Sequence, residues 1–329
     1  MAQHQNKIKK IGLFTSGGDA PGMNAGIRAI VRVAHSLNIE VMGIYQGYIG
    51  LVEDIVKPLN IRDVANIIQR GGTILKTGRS SDFHKADIRA KAAETVKRHA
   101  IDGLVCIGGD GSFRGAHALW KEQQIPVVGI PGTIDNDIFG SDLTIGFDTA
   151  VNTALDAIDK IRDTADSHDR VFIVEVMGRN SGFIACHVGL AGGAEEIFVP
   201  DGNTNIDKSI DRIRDSIKKG KRSSILITAE GQKPGRAYDL ADAIRKKSGI
   251  DPKICILGHI QRGGTPTAVD RVLASRMGSA AIDTLCKGLC DIMIGTDGPN
   301  LVQVPLDVAT TKEKRSPLEY IQLSQILAV

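Results

Sequence analysis

The sequence predicts an α/β protein whose largely parallel sheets are covered on both faces by helices. Three observations carry that prediction. Apolar strand-like runs alternate with helix-period patterns from end to end of the chain. The runs are short and continuously apolar, as strands buried in a parallel sheet are. Most of them break into glycine-rich or otherwise small residues just before the next helical pattern, the junction at which open α/β sheets bind ligands.

The bulk numbers agree. A chain of 329 residues has room for two domains of ordinary size. With 42% hydrophobic and 24% charged residues it resembles a soluble globular protein with a sizeable core. A net charge of +3 argues against a general nucleic-acid or membrane surface. No segment reaches the ~20 consecutive apolar residues of a membrane span. The polar start, Met1-Ala2-Gln3-His4-Gln5-Asn6, lacks a signal-peptide core, so a cytosolic location is expected. Five cysteines (Cys106, Cys186, Cys255, Cys286, Cys290) are an odd number and include no C-x-x-C pair. They read as small core residues. Cys286 and Cys290 stand at i,i+4 on a helical pattern but have no further ligand for zinc.

Residues 10–15 form the first expected strand, breaking into Ser16-Gly17-Gly18-Asp19-Ala20-Pro21-Gly22. A helix with Met23, Ile27, Ile30, Val31 and Ala34 on one face follows. Glycines here would let backbone N–H groups approach an anion at a helix start. Residues 40–44 are a second strand. A second glycine-rich stretch, residues 71–80, carries Lys76 and Arg79, and helical spacing returns at Ile88, Ala92 and Val96. The strand Leu104-Val105-Cys106-Ile107 runs into Gly108-Gly109-Asp110-Gly111-Ser112 and a helix through Trp120. Three glycines around one aspartate are costly in backbone entropy unless close approach is needed, and an aspartate so placed can hold Mg²⁺. Pro126-Val127-Val128-Gly129-Ile130 then leads into Pro131-Gly132-Thr133-Ile134-Asp135-Asn136-Asp137. Two carboxylates with a threonine suit a cation–phosphate site or a base facing a hydroxyl, and equally a turn with solvated side chains.

Gly146-Phe147-Asp148 closes the first half. The next helix carries Val151, Leu155, Ile158 and Ile161 on one face, with Arg162 beside them. Arg170 precedes the strand over 171–176, which ends in Met177-Gly178-Arg179-Asn180-Ser181-Gly182. A strand at 197–199 ends at Pro200. A helix over 206–219 has a core stripe of Ile206, Ile210, Ile213 and Ile217. It stops at Lys218-Lys219-Gly220-Lys221-Arg222, which suits both ordinary helix-end chemistry and an anion site. The strand over 224–229 ends in Glu230-Gly231. A helix through Ile244 precedes the strand over 254–257, which enters Gly258-His259-Ile260-Gln261-Arg262-Gly263-Gly264. A helix over 268–285, a short strand near Met293-Ile294 and a helical tail complete the chain.

Together these motifs place phosphate-binding glycines, a metal-binding carboxylate and substrate-binding cations at strand carboxyl ends, which fits phosphoryl transfer. Gly17-Gly18-Asp19-Ala20-Pro21-Gly22-Met23-Asn24, Gly108-Gly109-Asp110-Gly111-Ser112, residues 131–137, Met177-Gly178-Arg179 and residues 258–262 resemble, in order and spacing, the signatures of bacterial-type 6-phosphofructokinases. The likeness runs from about residue 10 to 285 and is loose beyond residue 291.

That resemblance implies two Rossmann-like three-layer α/β/α domains with the active site in the cleft between them. The larger, ATP-binding domain would comprise residues 1–145 and about 260–310. The smaller, fructose 6-phosphate domain would comprise residues 146–259 and about 311–329. It implies that Asp135 takes the proton of the sugar's 1-hydroxyl, with Thr133, Asp137 and Arg179 assisting, Arg179 by stabilising the transferring group. Asp110 would hold Mg²⁺. Gly18, Arg79, Ser80, Gly109, Asp110, Gly111 and Ser112 would bind ATP. Thr133, Ile134, Asp135, Met177, Gly178, Arg179, Glu230, His259, Ile260, Gln261 and Arg262 would bind the sugar phosphate. Arg170 and Lys253 would reach it from a neighbouring subunit, which implies a homotetramer. Arg28, Arg32, Arg162, Gly193, Glu195, Lys219, Lys221 and Arg222 match the pocket that takes ADP or phosphoenolpyruvate in regulated members.

Several positions depart from the family. Lys253 replaces an arginine, keeping charge and losing the bidentate fork. Lys76 adds a cation, His84 replaces an arginine, and Ile61 replaces an arginine of the effector pocket. Pyrophosphate-using relatives carry aspartate at the position of Gly111 and lysine at that of Gly132. Both are glycine here, which favours ATP over a pyrophosphate-dependent reaction. A non-catalytic regulatory subunit would be expected to lose Asp135 or Arg179, and both are present. A nicotinamide oxidoreductase would need a G-x-G-x-x-G turn after a strand, and none is evident.

Overall fold

Each apolar run becomes a strand and each periodic pattern a helix. The computed structural model describes residues 8–78, 80–168, 170–202, 206–221, 223–231 and 234–328. The chain runs β1 (Lys10–Thr15), α1 (Met23–Ser36), β2 (Glu40–Ile44), α2 (Tyr48–Val52), β3 (Val56–Pro58), α3 (Ala86–Arg98), β4 (Gly103–Gly108), α4 (Asp110–Gln123) and β5 (Val127–Pro131). α5 (Phe147–His168) leads into β6 (Val171–Val176), α6 (Phe183–Ala191), β7 (Glu196–Phe198), α7 (Ile206–Lys218), β8 (Ser224–Ala229), α8 (Arg236–Ser248) and β9 (Lys253–Ile256). A 3-10 turn (Gly258–Arg262) and α9 (Ala268–Cys286) follow. The strands β10 (Ile292–Asp297) and β11 (Asn300–Pro305), then α10 (Leu306–Thr311) and α11 (Glu319–Leu327), end the described chain. None of its described helices is long and apolar enough to cross a membrane.

The chain divides into two units. The first draws on residues up to Thr133, Ile138–Asp148 and Arg262–Lys314. Its sheet has seven strands in the order β11-β10-β5-β4-β1-β2-β3. The five inner strands are parallel, and β3 and β11 close the two edges antiparallel. One face of the sheet, through Phe14, Ile44, Leu104, Cys106 and Val127, packs on α2, α3, α4 and α10. On the other face Gly26 of α1 lies against Ile107 and Ala274, where a Cβ would come 3.2 Å from the isoleucine. Gly278 of α9 lies against Ala29 and the Gly26 carbonyl, so small residues let these two helices close on each other.

The second unit draws on Ile134–Asp137, Thr149–Gln261 and Arg315–Val329. Its sheet, β7-β8-β6-β9, is parallel throughout. The core stripe of α7 is buried at Ile210 and Ile213, where it joins Leu240 and Ile244 of α8 over Ile173 and Leu226. The Ile217 side chain lies outside the described residues. α6 covers the other face, its Gly189 lying against Ile197.

The tail corrects the expectation in one respect. The short strand near Met293-Ile294 is the inner arm of a hairpin, and the tail is not wholly helical because β11 pairs with it from Asn300 to Pro305. As an edge strand β11 keeps several residues exposed, so its sequence lacks the apolar run that marks the inner strands. A second correction concerns the cysteine pair. α9 ends at Cys286, with Lys287 as its C-cap and Gly288 at φ 73°, so Cys290 does not share its face. Among the cysteines, Cys106 and Cys186 are buried and the other three partly so. Burial pushes the Cys106 and Cys186 thiols up to about 12, which keeps them inert.

One buried carboxylate organises the second unit. Glu175, 1% exposed in the middle of the sheet, accepts hydrogen bonds from the Gly235 and Ala237 N–H groups, each at 2.8 Å. It thereby caps α8, whose own N-cap residue is a glycine without a side-chain acceptor. Glu175→Ala would leave both N–H groups without this acceptor and is expected to cost about 2–3 kcal/mol. Urea denaturation monitored by circular dichroism reads this, and an unchanged midpoint would contradict the capping role.

Candidate active site

In the first unit three strand ends meet. The Ser16 N–H donates to the Ile107 carbonyl at 3.0 Å and the Gly132 N–H to the Gly108 carbonyl at 2.9 Å, which joins β1, β4 and β5 just beyond their pairing. Gly108 stands at the centre. A Cβ there would lie 2.6 Å from Ser112 Oγ and 2.7 Å from the Ser16 carbonyl oxygen, so no side chain fits. Gly109 starts α4, and the Ser112 and Phe113 N–H groups turn back onto its carbonyl. Tyr48 fixes the far side of this turn, donating its hydroxyl to the Ser112 carbonyl while its ring stacks on Phe83 at 3.9 Å. Burial raises the Tyr48 phenol well above its ordinary range, so it stays a donor.

Asp110 opens α4 and pairs with Arg114 one turn on, at 3.0 Å. Burial nevertheless raises the Asp110 carboxyl above the usual carboxylate range, an effect that outweighs the pull of Arg114. A partly desolvated carboxylate beside open backbone is suited to a hard cation. Among the described residues no three histidine, cysteine, aspartate or glutamate side chains cluster as a metal cage. An ion on Asp110 would therefore share its coordination with phosphate and water, as Mg²⁺ prefers. Gly111 has no atom within 4 Å of its Cβ position, so its side of the turn is open. Gly132 differs: a Cβ there would meet Ile107 Cγ2 at 2.9 Å and Met23 Cε at 3.1 Å.

The 73–77 stretch is tied to the same edge. Thr15 Oγ1 donates to the Lys76 carbonyl at 2.8 Å and Thr77 Oγ1 to the Gly17 carbonyl at 2.7 Å. Ser80 is half-buried beyond it, Lys76 and His84 are exposed, and Arg79 lies outside the described residues. Arg262 crosses the cradle. Its Nη1 is 3.3 Å from the Asp19 carbonyl, and it occupies the space a side chain on Gly18 would need, 2.7 Å from that Cβ position. Thr133 follows Gly132, its carbonyl accepting from Thr144 Oγ1 at 2.6 Å. Arg28 and Arg32 lie one turn apart on α1, half-buried and exposed respectively.

In the second unit the edge is built from β6, β8 and β9. Ile134 and Asp135 are buried, Asp135 at 6% exposure, and Asp137 is exposed. Ser181 Oγ donates to the Asp135 carbonyl at 2.8 Å, which sets Asp135 beside the turn that carries Arg179. Gly178 (φ 143°) and Arg179 (φ 49°) make that turn left-handed, and the Ser181 N–H closes it onto the Gly178 carbonyl at 2.7 Å. Met177 is buried at the end of β6, and Glu230, 7% exposed at the end of β8, donates its N–H to the Val176 carbonyl. His259 and Ile260 are exposed on the 3-10 turn after β9, whereas Gln261 is fully buried.

Two expected residues stand apart. Arg170 precedes β6 and Lys253 begins β9, level with Phe172. Both lie at the amino edge of the sheet, a strand length of about 20 Å from Met177. Lys253 pairs with Asp251 at 2.8 Å, and together with Arg245 it holds the Asp251 carboxyl down at about 2. Elsewhere in this unit Arg162 donates to the Gly193 carbonyl at 3.2 Å, and Lys221 pairs with Glu195 at 2.7 Å. Glu195, Lys219 and Lys221 line a pocket of about 330 Å³ with Arg212, Glu196 and Gln325. The last three are absent from the sequence reading, because α11 lies where the resemblance is loose and Arg212 hides among the alternating charges of α7. Arg222 lies outside the described residues.

Comparisons with known proteins bear on both units. The sequence profile described as phosphofructokinase matches residues 10–285. An ATP-dependent 6-phosphofructokinase of Thermus thermophilus is 55% identical over 98% of this chain and 100% of its own length. One from Coxiella burnetii is 54% identical over 91% of this chain and 92% of its own. The solved phosphofructokinase of Pichia pastoris superimposes with a TM-score of 0.86 at 35% identity, covering 94% of this chain and 38% of the longer yeast chain. A profile match across most of the sequence and relatives similar over their whole length lead to one conclusion: the chain belongs to the phosphofructokinase family.

Proposed function

We propose that the protein transfers the γ-phosphoryl group of ATP to the 1-hydroxyl of fructose 6-phosphate, a reading supported by curated relatives named ATP-dependent 6-phosphofructokinase. The observation that carries this reading is the buried Asp135, whose main-chain carbonyl accepts from Ser181 Oγ, so that the candidate base lies beside the turn that carries the candidate cation Arg179. The first unit supplies the nucleotide half through Gly18, Ser80, Gly109, Asp110, Gly111 and Ser112, with Arg79 added by resemblance. The second supplies the acceptor half through Ile134, Asp135, Met177, Gly178, Arg179, Glu230, His259 and Ile260. Thr133 and Arg262 complete the sugar-phosphate contacts.

Chemically, the carboxylate of Asp135 accepts the proton of the 1-hydroxyl as its oxygen attacks. Arg179 stabilises negative charge on the transferring group. Asp110 would hold Mg²⁺, with Asp137 near the metal and phosphates, and the ion would neutralise charge on the phosphate oxygens. The open space at Gly111 supports ATP as donor, since a nucleotide's α-phosphate has room there. Arg170 and Lys253, a strand length from Met177, support a homo-oligomer, of tetramer type in this family, in which each serves a neighbouring subunit's site. A glycolytic, cytoplasmic role follows from the reaction.

A coupled assay for fructose 1,6-bisphosphate tests the reading. Asp135→Ala is expected to lower kcat by roughly 10²–10⁴-fold with the ATP KM little changed. Turnover with pyrophosphate exceeding that with ATP would overturn the choice of donor. Asp110→Asn is expected to cut turnover by roughly 100-fold. The same substitution should leave the ligand-free protein at least as heat-stable as the wild type, because it removes a charge whose burial outweighs its ion pair. A clear fall in Tm would contradict that account.

The pocket beside Glu195, Lys219 and Lys221 supports regulation by ADP or phosphoenolpyruvate, with Arg28, Arg32, Arg162, Gly193 and Arg222 contributing by resemblance. Fructose 6-phosphate titrations should shift by 5–150-fold in apparent affinity when effector is added, a coupling of about 1–3 kcal/mol. Curves that superimpose would exclude it.

A further inference from the structure

We infer that Gln261 is a positioning residue that sets the Met177-Gly178-Arg179 turn against the His259 turn, rather than a group that touches the sugar phosphate. The inference rests on the reading of the second unit as the acceptor half of the site.

The observations concern one carboxamide. Gln261 is 0% exposed. Its Oε1 accepts from the Met177 N–H at 2.8 Å, and its Nε2 points to the Ala150 carbonyl at 3.4 Å. Both ends of the amide are therefore directed at backbone of other segments. The neighbouring His259 and Ile260 are exposed, so the 3-10 turn presents those two outward and turns Gln261 in.

The register of the sheet explains why such a residue is needed. Along a strand the N–H and C=O of one residue face the same neighbouring strand, and those of the next residue face the other. The Leu257 N–H donates to the Glu175 carbonyl, on the β9 side of β6, and the Glu230 N–H donates to the Val176 carbonyl, on the β8 side. The Met177 N–H therefore points to the β9 side again. There β9 has ended at Ile256 and the chain has entered the 3-10 turn. The side-chain carbonyl of Gln261 takes the place of the next strand residue and extends the ladder by one bond. Without it a buried N–H would stand unsatisfied at the root of a turn whose next two residues both have positive φ. A turn with that conformation persists only where its surroundings fix it. Gln261 fixes its start, and Ser181 fixes its end through the Asp135 carbonyl.

Two variants separate this role from direct contact. Gln261→Met keeps the volume and removes the acceptor. Gln261→Glu keeps an acceptor facing Met177, because a carboxyl buried this deeply stays neutral. The expected result is a fall of at least ~30-fold in kcat/KM for fructose 6-phosphate in Gln261→Met, carried mainly by kcat, with the ATP KM within ~2-fold of wild type. Gln261→Glu should restore most of that loss. Hydrogen–deuterium exchange of the peptide spanning Met177 should quicken at least ~10-fold in Gln261→Met and not in Gln261→Glu, while the interior of β6 keeps its protection. Equal losses in both variants with unchanged exchange would overturn the inference in favour of substrate contact. Near-wild-type kinetics in Gln261→Met would also overturn it. If Gln261→Met does not fold, Gln261→Glu decides: activity and exchange close to wild type support the role, and a loss of at least ~30-fold overturns it. Wild-type protein inactive with ATP and fructose 6-phosphate would instead sink the proposed function, leaving the exchange experiment to report on the backbone bond alone.

Discussion

The close approach at Gly108 is the constraint on which the first unit's site depends. Three parallel strands end together, and the backbone of one passes within 3 Å of where any side chain on the next would stand. That absence of a Cβ lets Ser112 turn under the strand ends and start α4 with Asp110 at its opening. Once the strand ends are joined, the cradle can be finished by distant segments. The 73–77 stretch arrives through threonine hydroxyls on backbone carbonyls, and Arg262 arrives over Gly18. A side chain on Gly108 would act on all of these at once, because it would move the Ser16 backbone they share.

The second unit solves a related problem by different means. Its strand edge is not closed by glycine alone. Two buried side chains take over backbone work where the regular ladder stops. Glu175 supplies the first acceptors of α8, and Gln261 supplies the acceptor that β9 no longer provides. Both are polar groups whose burial is tolerable because each meets backbone N–H donors. These bonds hold the segments that carry Arg179, Glu230 and His259, three residues of the proposed acceptor half. The Gly178–Arg179 conformation is thus maintained from outside the turn.

Much of this was legible in the sequence, for a physical reason. Continuous apolar runs such as Val105-Cys106-Ile107 and Ile225-Leu226-Ile227 mark strands buried on both faces, and the glycines after them mark where backbone must approach backbone. What escaped were elements with weaker signals. β3 spans three residues, β11 is an edge strand with exposed positions, and α2 is a short helix of five residues. The roles of Glu175 and Gln261 were also hidden. A buried polar residue is distinguished from a surface one only by what it bonds to, and those partners lie 60 and 84 residues away. Arg212, Glu196 and Gln325 escaped in the same way, since nothing in the sequence marks these three polar residues as neighbours until the pocket gathers them.

The geometry also separates two glycines that the sequence treated alike. Gly132 is required by packing, since Ile107 and Met23 fill the space beside it, so a residue larger than glycine there needs a rearranged core. Its identity says as much about the fold as about the donor. Gly111 has no such neighbour, and its backbone imposes no left-handed conformation. Nothing in the folded chain forbids a side chain at that position. That open space is what supports ATP as the donor in the proposed reaction. In that reaction a nucleotide's α-phosphate, bulky and negative, would be the group that a side chain there, above all an acidic one, would displace.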